Sequence, residues 1–130
     1  MRLTEEEARK LGLNRDPPKK KNKYGAWKVT VDGIKFDSQL EADYYINLKL
    51  LQRAGQIVGF CRQGRFVVTE GANGERATEY VCDFVVFYPN GMFRIVDTKG
   101  VETEVFKLKR KAFAEKYPKL KINLLHRRDI

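Results

Sequence analysis

Asp83, Asp97 and Lys99 are the residues of this chain whose types and spacing suit chemistry on a phosphodiester. They lie in two runs of β-branched and aromatic residues, Tyr80-Val81-Cys82-Asp83-Phe84-Val85-Val86-Phe87 and Phe93-Arg94-Ile95-Val96-Asp97-Thr98-Lys99, separated by Pro89-Asn90-Gly91. Such runs about such a turn predict a β-hairpin. If the loop centres on Asn90, residues whose numbers sum to 180 face one another, and Asp83 falls opposite Asp97. Their Cβ atoms would then be roughly 5 Å apart, and like charges so placed are destabilising. Something positive belongs between them. Lys99 returns to the face of Asp97 two residues on, and a divalent cation with hard oxygen ligands is the second candidate; both are expected. Two acids and a lysine on one face form the arrangement by which a metal activates water against a phosphodiester. The plainer reading is that either aspartate points to solvent from a one-sided sheet, or that Lys99 alone makes an ion pair with Asp97. A lone strand aspartate would favour it, whereas two in register beside a lysine favour the metal.

The elements that must position these residues can be read along the chain. Thr4-Glu5-Glu6-Glu7 has capping-box spacing and opens a short helix ending near Gly12. From Asn14 to Tyr24 come Pro17-Pro18 and then Lys19, Lys20, Lys21 and Lys23, a stiff and then self-repelling stretch expected to be a basic arm. Following a phosphate backbone and forming a solvated tail are equally open to it. Residues 1–24 are therefore set apart from a domain over residues 25–130. Trp27 to Phe36 alternates as strands about Asp32-Gly33, the pair favoured in a tight type I′ hairpin. Ser38 and Glu41 have capping-box spacing, and Leu40, Tyr44, Leu48 and Leu51 recur at helical intervals until Gly55. At ~100° per residue Glu41 sits at the margin of that apolar stripe, and capping competes with any site role for its carboxylate. Gln56 to Phe60 and Arg65 to Thr69 are short strands broken at Gln63-Gly64, and Glu70 to Thr78 is a loop.

After the central hairpin, Thr103-Glu104 starts a second helix that Pro118 closes after Tyr117. Val105, Phe106, Leu108, Ala112, Phe113 and Tyr117 form its apolar arc, with Lys109 in the middle of it. That lysine either snorkels outwards or reaches an anionic centre at the core edge. Lys107, Arg110 and Lys111 make a basic face suited to phosphate contacts and equally to solvation. Lys121 to Leu125 is a final strand.

Length and composition narrow the classes. One domain is natural for 130 residues, and 42% hydrophobic content supports a core. No apolar run approaches the ~20 residues of a membrane span, and Glu5-Glu6-Glu7 stands where a signal peptide carries apolar residues. No membrane association and a cytoplasmic location are expected. Cys61 and Cys82 are too few for a disulfide framework and lack partners at zinc-finger spacing. A net charge of +9 raises the local concentration of polyanions and makes nucleic acid the leading partner; a merely soluble basic protein has the same balance.

Taken together, Phe36 to Tyr45, Tyr80 to Phe84, Asp97-Thr98-Lys99-Gly100, and Thr103 with Phe106 to Lys111 resemble the PD-(D/E)XK nuclease superfamily. They are similar in particular to small phage-encoded proteins described as domains of unknown function, some called Holliday-junction-resolvase-like. The resemblance covers roughly Phe36 to Leu125 and implies an α+β, restriction-endonuclease-like αβββαβ core with a central mixed sheet flanked by helices. By it, Glu41 is the helix carboxylate that helps bind metal or orient water, Asp83 the metal-bridging acid, and Asp97 a metal ligand. Lys99 positions or activates the nucleophile, the Thr98 backbone carbonyl is a further ligand, and Lys109 is the basic residue turned towards the site. Cys82 stands where the superfamily name has Pro, and Asp97 where Glu is commoner. The implied activity is that of a Mg²⁺-dependent endodeoxyribonuclease, with Mn²⁺ as substitute and no organic cofactor. It would act on DNA, branched or otherwise, in phage recombination, replication or packaging within a bacterial or phage-infected cell. A homodimer is expected because junction-resolving enzymes cut two symmetric strands. Two rivals stand beside it: a catalytically inactive nuclease-fold module binding DNA or a protein, and a ribosomal-type RNA protein resting on charge alone.

Overall fold

The computed structural model describes residues 15–16, 28–98 and 102–130. The predicted N-terminal helix lies outside these residues, as do Lys19, Lys20, Lys21, Lys23 and Lys99. The chain forms two compact units, Met1–Gln56 with His126–Ile130, and Ile57–Leu125.

In the first unit β1 (Arg15–Asp16), β2 (Val29–Val31) and β3 (Ile34–Phe36) make an antiparallel sheet in that order. Asp32 and Gly33 have φ of 54° and 76°, the left-handed pair that a type I′ turn demands. Helix α1 (Gln39–Arg53) starts where the Ser38 hydroxyl accepts the Glu41 N–H at 3.1 Å, and it stops before Gly55, whose φ is 76°. Both ends obey the local signals. The helix buries Leu40, Tyr44, Tyr45 and Leu48, with the Tyr45 ring 5.1 Å from that of Phe36 in β3; Leu51, expected on the same stripe, is half-buried. The Tyr45 hydroxyl donates to Asp32 in the turn at 3.0 Å. Asp43 is also buried, accepting from Gln39 at 2.7 Å and pairing with Arg127 in the closing 3₁₀ turn, Arg127–Asp129.

The second unit holds β4 (Gly59–Arg62), β5 (Arg65–Thr69), β6 (Thr78–Val81), β7 (Phe84–Phe87), β8 (Phe93–Thr98), α2 (Glu104–Lys116) and β9 (Ile122–Leu125). A mixed four-stranded sheet runs β4-β7-β8-β9, with β9 parallel to β8 and the other pairs antiparallel. Parallel neighbours need a long crossover, and α2 supplies it. The fold is α+β, and α1, β4, β7, β8, α2 and β9 follow in the order αβββαβ, with β5 and β6 inserted as a separate two-stranded sheet.

The hairpin register matches the sequence reading: Phe84 pairs with Val96, Val85 with Ile95, Val86 with Arg94 and Phe87 with Phe93. Three expectations are corrected. The run from Tyr80 to Phe87 is not one strand, because it breaks at Cys82-Asp83. The Cys82 N–H donates to the Gly64 carbonyl at 3.0 Å and the Asp83 carbonyl accepts from Gln63 at 3.0 Å, so the chain passes from pairing with β5 to pairing with β4. A Cβ on Gly64 would meet Val85 Cγ2 at 3.1 Å and Cys82 Sγ at 3.2 Å, which makes glycine the fitting residue at this crossing. Secondly, β4 begins at Gly59 rather than Gln56, since the Gln56 N–H is spent on the Leu51 carbonyl at the end of α1. Thirdly, the apolar arc of α2 divides. Phe106 and Phe113 are buried with Ala112 and Tyr117 packed beside them, whereas Val105 and Leu108 are 63% and 68% exposed. The helix packs against β5 and β6, and a surface two strands wide covers only a narrow stripe of a helix. No described helix is long and apolar enough to cross a membrane.

Candidate active site

One step past the last ladder pair of the central hairpin, Phe84 with Val96, come Asp83 and Asp97. Each is held by a hydrogen bond from outside the ladder. Thr98 donates to Asp83 Oδ2 twice, through its backbone N–H at 2.8 Å and its hydroxyl at 2.7 Å. The Tyr80 hydroxyl donates to Asp97 Oδ2 at 2.6 Å. Asp97 is 2% exposed, as is Tyr80, and Asp83 is half-buried. Burial first, and then the Asp97 carboxylate, push the Tyr80 phenol's pKa far up, so the hydroxyl keeps its proton and acts as a donor to a carboxylate oxygen. A charge-assisted bond this short is stronger than a neutral one.

These donors give one oxygen of each acid a hydrogen-bond partner within the fold. The resulting donor set is all oxygen: two carboxylates, with the Thr98 main-chain carbonyl beside them in sequence. Among the described residues no group of three or more His, Cys, Asp and Glu could hold a metal ion. A zinc site of the usual four side chains is therefore not formed by them. Magnesium, which commonly takes one or two carboxylates and completes its shell with water and substrate phosphate, fits such a set.

The other predicted residues are placed as follows. Glu41 lies on α1 in the first unit, 6% exposed. Lys99 is outside the described residues. Lys109 is half-buried on α2, and Lys111 is exposed. Lys107 pairs with Glu104 at 3.5 Å, while Arg110 pairs with Glu102 at 2.7 Å and lies 5.3 Å from the Phe106 ring. Exposed pairs of this kind contribute little, but they partly balance the charge of the basic face. The sequence reading missed Tyr80 and the Thr98 hydroxyl. The available signal was a tyrosine in an otherwise apolar run, because a buried phenol needs a hydrogen-bond partner.

Cys82 adjoins the site and is wholly buried; burial pushes its thiol up to about 11, whereas Cys61 is exposed. With the thiolate as the reactive form, the native protein at pH 8 is expected to titrate one rapid thiol with a disulfide reagent and a second only after unfolding. Two equally rapid thiols would contradict this burial.

The described residues form an α+β domain in which Asp83 and Asp97 lie at the end of the central hairpin. The family described as Protein of unknown function (DUF1064) matches residues 21–128, and the chain belongs to that family. No curated protein and no solved structure matches it significantly.

Proposed function

We propose that this protein is a magnesium-dependent DNA endonuclease of the PD-(D/E)XK type. The observation that supports the reading is that Asp83 and Asp97 follow one step past the last ladder pair of the central hairpin, with Asp83 bonded by Thr98 and Asp97 by Tyr80. Asp83, Asp97 and the Thr98 carbonyl would hold Mg²⁺ or Mn²⁺. When bound, the ion supplies a lowered pKa to water and neutralises charge on the attacking and leaving oxygens. Lys99, next after Thr98 in the sequence, would steer the attacking water in line. Thr98 fixes the Asp83 carboxylate through two donors. The net charge of +9, with Lys107, Lys109, Arg110 and Lys111 on α2 and the lysines of residues 19–23, would hold the phosphate backbone. A homodimer acting on branched DNA in the cytoplasm is the form of the reading that the resemblance to junction resolvases favours.

The test is cleavage of a panel of duplex, nicked, flap and four-way-junction DNA. Cutting that requires Mg²⁺ or Mn²⁺ and stops with EDTA is expected, with DNA affinity falling linearly in log salt. No cleavage of any substrate with either metal, at stoichiometric protein, would refute the enzymatic reading. One observation favours the second reading, an inactive DNA- or protein-binding module: three hydrogen bonds from Tyr80 and Thr98 already satisfy acid oxygens within the fold. Calorimetric titration with MnCl₂ separates the two, since a module of that kind has no saturable binding dependent on Asp83.

A further inference from the structure

We infer that Tyr80 is the positioning residue for Asp97, and that the aromatic cluster of the two-stranded sheet and α2 is the scaffold that aims this acid at a divalent cation. The inference rests on the metal-dependent reading of the site and extends it to a residue outside the acid pair. Asp97 belongs to β8 of the four-stranded sheet, whereas Tyr80 belongs to β6 of the two-stranded one. Their 2.6 Å hydrogen bond therefore joins the two sheets at the site.

The donor itself is rigidly placed. Phe66 stands directly opposite Tyr80 in the β5–β6 ladder, with ring centroids 6.4 Å apart, and Phe113 and Phe106 of α2 lie 5.5 and 6.3 Å from the Tyr80 ring. Phe113 also meets Phe66 edge-on at 5.3 Å. Behind this cluster the Tyr117 hydroxyl donates to the Val67 carbonyl at 2.6 Å, where the β5–β6 register shifts, and ties the end of α2 to β5. A phenol so confined cannot follow a wandering carboxylate; the carboxylate must settle on it. Holding one oxygen of Asp97 selects a single side-chain rotamer before any ion arrives. An acid so ordered has already lost the side-chain freedom that binding would otherwise remove, and groups that orient metal ligands in this way typically govern affinity by 10–100-fold.

Tyr80→Phe separates the two functions of the residue, because the ring and its aromatic contacts stay while the hydroxyl goes. Phe113→Leu is the converse control, disturbing the cluster while leaving the hydroxyl in place. Full-length wild type and both variants are titrated with MnCl₂ by calorimetry, with folding checked by circular dichroism. The expected result is an affinity at least about tenfold weaker for Tyr80→Phe, a smaller but measurable weakening for Phe113→Leu, in which the hydroxyl remains and its support is loosened, and recovery of Tyr80→Phe cleavage as Mn²⁺ is raised. A Tyr80→Phe affinity within twofold of wild type, beside saturable wild-type binding, overturns the positioning role and leaves the metal reading standing. Wild-type protein that shows no saturable binding overturns both.

Discussion

Asp97→Asn is expected to remove metal-dependent cleavage by a factor on the order of 10³ or more, which is ~4 kcal/mol of transition-state stabilisation, while the protein stays folded. Asparagine keeps the size of the side chain and an oxygen that can still accept from Tyr80, whose hydroxyl lies 2.6 Å from Asp97 Oδ2. What it removes is the negative charge. Alanine is the less informative substitution here. It would leave the buried Tyr80 hydroxyl without its acceptor, which costs about 1–3 kcal/mol by itself, and a loss of activity could then follow from a loosened fold. Single-turnover cleavage at saturating Mg²⁺, beside a thermal melt of each protein, makes the measurement. An Asp97→Asn rate within tenfold of wild type would take this acid out of the chemistry.

Phe113→Ala should produce the largest loss of stability of any single truncation on α2, about 3–5 kcal/mol. Phe113 is 1% exposed, and its ring centroid lies 5.5 Å from Tyr80, 5.3 Å from Phe66 and 5.1 Å from Tyr117. Alanine would leave a cavity lined by three rings that are each fixed by other contacts. Against a total stability of roughly 5–15 kcal/mol, the melting temperature is expected to fall by roughly 10–20 °C. Leu108→Ala supplies the contrast: Leu108 sits on the same helix but is 68% exposed, and such substitutions usually stay within about 0.5 kcal/mol. Equal losses for the two variants would mean that the helix buries a different face.

The difference between those two residues illustrates where reading the chain succeeds and where it stops. Helical periodicity put Val105, Phe106, Leu108, Ala112, Phe113 and Tyr117 on one arc, because spacing reports only which residues share a side. How much of an arc is covered depends on the width of what it meets. On α2 the strands packed most closely against it are β5 and β6, and Val105 and Leu108 fall outside the cover. The run from Tyr80 to Phe87 failed for a related reason. Each of its residues favours a strand, and nothing local marks Cys82-Asp83 as the place where the chain leaves one partner strand for another. Gly64, sixteen or more residues away from Tyr80 in sequence, receives the Cys82 N–H and makes that transfer possible.

The amino-acid sequence alone determined the features that depend on a few neighbouring residues. These are the Asp32-Gly33 turn, the Ser38 and Thr103 caps, Gly55 after α1, and the register of the hairpin in which Phe84 faces Val96. Turn geometry and capping act over one to five residues, and a two-residue period then carries the register along the strands without outside help. The tertiary structure alone decided which groups hold the acids. Thr98 reaches back across the hairpin to Asp83, Tyr80 reaches from another sheet to Asp97, and Arg127 crosses most of the chain to Asp43. Such partners are chosen by the packing of distant elements, because a buried carboxylate must take its donors from whatever the fold brings within about 3 Å.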